Sequence, residues 1–180
     1  MRANALIVLL LLAGCSKPLP VIIQDFRSNY SEEFESTNQV KRPAELVALQ
    51  YIGYTEKTHR IELKRLIGVD PVRTEWCAAF INAVLSETGV PGSESVSNYP
   101  LTARSFLNWG MTVKVPEPGD IVIFPRGNVA WQGHVGFYLR SQIIDGKEYY
   151  YILGGNQNNR VSIELFRASS AIGIRRQYPI

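Results

Sequence analysis

The sequence predicts an α+β domain in which the helices come first and an antiparallel sheet follows. Two observations carry this. Between Pro43 and Trp109 apolar residues recur at three- and four-residue spacing, in stretches closed by Gly53, Gly68, Gly89 and Gly110. Beyond Met111 the period shortens, and five apolar segments follow one another across short turns.

Pro43 suits a first helical position, and Leu46, Leu49 and Ile52 recur behind it up to Gly53. A second helix is expected over 58–67, with Ile61, Leu66 and Ile67 apolar and a stop at Gly68 before Asp70-Pro71. The third, over 75–88, has the clearest pattern. Cys77, Phe80, Ile81, Val84 and Leu85 share one face, Thr74 fits the N-cap, and Gly89 with Pro91 ends the helix. A short fourth helix is expected over 101–109. Pro116-Glu117-Pro118-Gly119-Asp120 is turn chemistry, and the strands expected after it are 121–124, 134–139, 148–153, 160–166 and 172–178. Asp145-Gly146 is a tight hairpin turn between two of them.

The N-terminal residues belong to a different regime. Ala5 to Ala13 are all apolar, a run too short to span a bilayer but right for a secretory signal. Leu12-Ala13-Gly14-Cys15 resembles the lipobox of bacterial lipoproteins, which implies cleavage before Cys15 and lipidation of its thiol. Ser16, where an aspartate would suggest retention at the inner membrane, points to the outer membrane and a periplasm-facing anchor. Residues 16–42 carry Pro18, Pro20 and a polar acidic stretch without sustained apolar period, which reads as a tether. The expected organisation is therefore a signal over 1–14, anchor and tether over 15–42, and one folded domain over 43–180.

Composition narrows the functions available to that domain. A net charge of +3, with no long Lys/Arg run, gives little basis for nucleic-acid binding. Two cysteines and two histidines, none at zinc-ligand spacing, do not make a structural zinc module, and no metal or other cofactor is implied. Separate roles for Cys15 and Cys77 leave no disulfide to expect.

Cys77 stands in the first turn of the strongest helix, where backbone amides and the helix dipole favour thiolate. His134 opens a strand, and Asn156 follows the end of the next, after Gly154 and Gly155, which permit unusual backbone angles. A thiol nucleophile needs an imidazole to take its proton and an amide or carboxylate to orient that imidazole, and these three residues supply the set. Alone, each has a blander reading, in core or at a strand end.

Five runs together carry a resemblance: Glu75-Trp76-Cys77-Ala78-Ala79-Phe80, the segment from Ala103 to Gly110, the segment from Pro118 to Phe124, Gly133-His134-Val135-Gly136-Phe137, and Leu153-Gly154-Gly155-Asn156-Gln157. They resemble the papain-like cysteine amidohydrolases and peptidases of bacterial cell walls, in particular the CHAP and NlpC-type families. The resemblance implies a papain-like fold and hydrolysis of an amide bond in peptidoglycan, either muramoyl-alanine or one within the stem peptide or crossbridge. It implies Cys77 as nucleophile, His134 as general base and then acid, and Asn156 as the residue fixing the imidazole. The backbone N–H of Cys77 is a natural oxyanion donor. Where papain carries a glutamine as second donor, this chain has Val69-Asp70-Pro71-Val72-Arg73.

Other residues are candidates for substrate contact: Trp131 in a groove, Arg126 against a stem-peptide carboxylate, and Gln157. Gln157, Asn158 and Asn159 otherwise form a polar turn, or one of them replaces Asn156 on the imidazole. Glu75 is read as complementing the helix dipole. His59 is expected at the surface. Asp70, Glu75, Glu117 and Asp120 show no pairing of the kind a glycosidase needs. The leading expectation is a lipid-anchored cysteine amidase or endopeptidase with peptidoglycan as its partner. The alternatives are a non-catalytic binding lipoprotein on the same fold and an acyltransferase using the same triad.

Overall fold

The computed structural model describes residues 43–178. The expected signal, Cys15 and the tether lie outside the described residues. Helix α1 spans Ala44–Ala48, α2 Arg60–Ile67 and α3 Cys77–Glu87. Six strands follow: β1 Met111–Thr112, β2 Ile121–Pro125, β3 Gly133–Ile144, β4 Lys147–Gly154, β5 Ser162–Arg167 and β6 Gly173–Arg176. Neighbours run antiparallel in the order β1-β6-β2-β3-β4-β5, so the expected α+β arrangement of helices before an antiparallel sheet is what the chain adopts.

Helix α3 follows its apolar period: Cys77, Phe80, Ile81, Val84 and Leu85 are all buried. Its end is a Schellman motif. Gly89 takes φ 70°, its N–H donates to Ser86, and the Val90 N–H reaches back to Leu85 at 2.9 Å. Its start falls two residues later than the sequence suggested, because Trp76 and not Thr74 is the N-cap. In α2 the buried residues are Leu63 and Ile67, while Ile61 is exposed, so the expected apolar stripe is rotated. His59 caps that helix and stacks on Tyr54 with ring centroids 4.2 Å apart. The expected fourth helix is a 3-10 stretch, Ala103–Asn108.

In the sheet, Asp145 and Gly146 both take positive φ and close the β3–β4 hairpin at the Ile144↔Lys147 pair, as the dipeptide predicts. The sixth strand, missed by the sequence reading, is the two-residue β1, which pairs with β6. Helix α3 packs on β3 and β4. A separate apolar cluster of Val122, Phe124, Tyr138, Tyr150 and Ile152 is flanked by the partly buried Phe166 and Ile174. Buried Asp120 accepts two hydrogen bonds from Arg176, both at 2.8 Å, which ties the start of β2 to β6.

Candidate active site

The Cys77 sulfur is held against the strand that carries the imidazole, because one ladder ends early. The Tyr138 N–H donates to Asp120, so alternate residues of β3 bond to β2 and the others face β4. The β3–β4 ladder ends at Phe137↔Leu153. Val135, two residues earlier, has no β4 partner, and its N–H acts on the Cys77 sulfur together with the N–H of Ala78. The residue beside Val135 is His134.

Gly155 lets the start of α3 come this close. A Cβ there would stand 2.5 Å from Cζ3 of Trp76 and 2.6 Å from Cβ of Phe80. The expected reason for the glycine pair was backbone freedom, but neither Gly154 nor Gly155 has positive φ. Close packing is the reason at Gly155. The unusual angles fall instead on Asn156, Asn158 and Asn159, at φ 57°, 53° and 60°, a conformation asparagine tolerates better than most residues.

That chain of left-handed residues decides which amide faces inward. Asn156, expected on the imidazole, turns its side chain away and donates to Glu75 Oε2 at 2.6 Å. Gln157 takes the inner place, its Oε1 3.0 Å from His134 Nε2. The orientation of this amide is determined by its other end, since Gln157 Nε2 donates to the Ser162 carbonyl at 2.6 Å and to the Ile152 carbonyl at 3.3 Å. Carbonyls can only accept, so Oε1 faces the ring and Nε2 of His134 must carry the proton. In the neutral imidazole the lone pair then lies on Nδ1. Phe166 stacks on the ring at 5.1 Å and 10°, fixing its plane. Gln157 is itself buried and is not among the residues lining the cleft.

A cleft of about 310 Å³ opens beside Cys77, lined also by Glu75, Thr102, Arg126, Trp131 and Gln132. Trp131 is exposed on its rim, whereas Trp109 is buried and donates to the Pro91 carbonyl. Tyr99 is exposed. Glu75 lies before α3 and not in its first turn, so the expected dipole role does not apply. It pairs with Arg126 at 3.2 Å and accepts the Asn156 bond. Of the other three carboxylates weighed for a glycosidase pair, Asp70 is held by Arg60, and Glu117 and Asp120 by Arg176. Among the described residues, no three His, Cys, Asp or Glu side chains gather into a metal-binding group.

Burial sets the resting protonation. It pushes the Cys77 thiol up, against the opposing pull of the Arg126 charge and the Val135 and Ala78 amides. It pulls His134 down to about 4, with the Gln157 bond opposing and the Arg126 charge assisting. At neutral pH the two rest as thiol and neutral imidazole.

The lowered His134 has a consequence for stability. Between pH 6.5 and about 4 the unfolded chain binds a proton at this residue that the folded chain refuses. Stability therefore falls as pH falls through that window, by about 3 kcal/mol in all from this group. Thermal melts from pH 7 to 4 check this: His134→Ala should show a shallower loss than the unaltered protein, and parallel curves would refute the assignment.

No curated protein and no solved structure matches the chain. A family model does, the CHAP domain, over residues 69–156, a span that holds Cys77, His134 and Asn156 and ends one residue before Gln157. The start of α3 at Cys77 and the start of β3 at Gly133 and His134 both fall within the matched residues, and the chain carries a CHAP domain over 69–156.

Proposed function

We propose that this protein is a lipid-anchored peptidoglycan hydrolase that cleaves an amide bond through a thioacyl-enzyme on Cys77. CHAP domains are typically cysteine- and histidine-dependent amidohydrolases or peptidases, which suggests amidase or peptidase activity on peptidoglycan. The observation that carries the reading is the orientation of the Gln157 amide, which leaves the basic lone pair of His134 on Nδ1.

The reaction then runs as acyl transfer. Cys77 Sγ attacks the scissile carbonyl while His134 Nδ1 takes the thiol proton, and the new charge on the imidazole is stabilised through Nε2–H by Gln157. As the C–N bond breaks, the imidazolium gives that proton to the leaving amine. Water, deprotonated by the same nitrogen, attacks the thioester, and the carboxylate leaves as the thiol is restored. Cys77 is the first residue of α3, so its own N–H has no intrahelical acceptor and can donate to the oxyanion. Starting from a neutral pair defers charge separation to the moment of attack, where the Arg126 charge favours the thiolate.

The test is clearing of a suspension of purified sacculi. The protein should lower its turbidity and Cys77→Ala should not; equal behaviour of the two would end the hydrolase reading and favour a wall-binding module. Anchoring through Cys15 is checked separately by growing producing cells with a labelled fatty acid. The label should enter the protein and be lost in Cys15→Ala, and label kept by the variant would refute the anchor.

A further inference from the structure

We propose that Arg126 forms an anion subsite beside Cys77, occupied in the free protein by Glu75, so that the cleft takes a peptide bearing a free carboxylate next to the scissile carbonyl. This deepens the proposed hydrolase reading and rests on it for the word scissile.

Five observations lead here. Arg126 and Cys77 line the same cleft, and Arg126 is the sole cation among its lining residues. The guanidinium already holds a carboxylate, but poorly: one contact, from one nitrogen, at 3.2 Å to Glu75 Oε2. Arginine prefers a two-bond fork with a carboxylate, so most of its donor capacity is left for another partner. Both members of the pair are open to water, Arg126 at 46% and Glu75 at 77% side-chain exposure, and such pairs are weakly held. Glu75 also has a place to stay when displaced, because its Oε2 accepts the bond from Asn156 at 2.6 Å. An incoming carboxylate can thus replace Glu75 on Arg126 without leaving the displaced group unpartnered. The Arg126 charge acts on both Cys77 and His134, so the subsite lies within electrostatic reach of the reacting atoms. A peptide with a carboxamide at that place lacks the charge and should be a poorer substrate.

The test uses alkylation of Cys77 in the full chain by iodoacetate and by iodoacetamide, with the modified peptide identified by mass. The two reagents share the reacting carbon and leaving group and differ in carboxylate against carboxamide. The ratio of their rates should fall by at least about fivefold in Arg126→Gln, with Arg126→Lys in between. It should rise in Glu75→Gln, and that rise should vanish when Arg126→Gln is present too. An unchanged ratio in Arg126→Gln would overturn the proposal, as would an equal rise from Glu75→Gln in both backgrounds, which would mean a general field and no subsite. Dividing by the iodoacetamide rate removes the effect of each substitution on the thiolate itself, which the Arg126 charge favours. The readout is also independent of hydrolysis. The expected ratios in a protein that leaves sacculi intact would keep the subsite and sink the hydrolase, and a flat ratio in a protein that clears them would do the reverse.

Discussion

Gln157→Ala should lower kcat on peptidoglycan by about 10²- to 10⁴-fold, while Asn156→Gly should stay within about tenfold of the unaltered protein. The difference follows from what each amide touches. Gln157 Oε1 accepts from His134 Nε2 and its Nε2 is spent on two carbonyls, so this one residue fixes both the tautomer and the direction of the base. Without it, the imidazole can place its proton on Nδ1, and the lone pair then faces away from the work. Asn156 touches Glu75 and not the ring, and glycine keeps its φ of 57° without strain. Gln157→Ala also leaves the buried His134 Nε2–H without its acceptor, which costs about 1–3 kcal/mol of stability. The kinetic effect is separated from that loss by measuring well below the melting temperature and by the pH profile of kcat, which should change shape only in the Gln157 variant. Comparable losses at both positions would refute this assignment.

The second large effect is expected at Cys77 and His134 together. Each alanine variant should lose at least about 10³-fold in kcat, and the double variant should be no worse than either single one. Nucleophile and base act in one step: a thiol that burial keeps protonated is a poor nucleophile until the imidazole accepts its proton, and the imidazole has nothing to activate once the sulfur is gone. Additive losses measured on sacculi would mean that the two residues contribute independently, and the coupled mechanism would fail.

How far the sequence disclosed this arrangement depends on the physical signal at each place. The face of α3 was legible because five apolar residues at helical spacing can be buried together only one way. Its first residue was not, because Trp76 caps the helix without a side-chain hydrogen bond and leaves no mark of the kind Thr74 seemed to offer. The hairpin at Asp145-Gly146 was legible because both residues tolerate positive φ. The two-residue β1 had too little pattern to register, and its partner is the distant β6.

At the site, Cys77 and His134 could be singled out by residue type and local setting, but the orienting amide could not. Gly154-Gly155-Asn156-Gln157 offers two amides in succession, and the choice between them lies in the left-handed backbone of Asn156, Asn158 and Asn159. The glycine before them pointed to the right place for a different reason, since Gly155 makes room for Trp76 and Phe80. Glu75 was visible as a carboxylate near the sulfur, but its ties to Arg126 and Asn156 span residues far apart in the chain and carry no local signature.

Amide hydrolysis in peptidoglycan by Cys77 is decided by mass spectrometry of the fragments released from purified sacculi in ¹⁸O-labelled water. The released fragments should carry a new amine and, on the matching acyl side, a carboxylate with one ¹⁸O, all absent with Cys77→Ala. Fragments ending in reducing sugars, or the same fragments released by the Cys77→Ala variant, would contradict it.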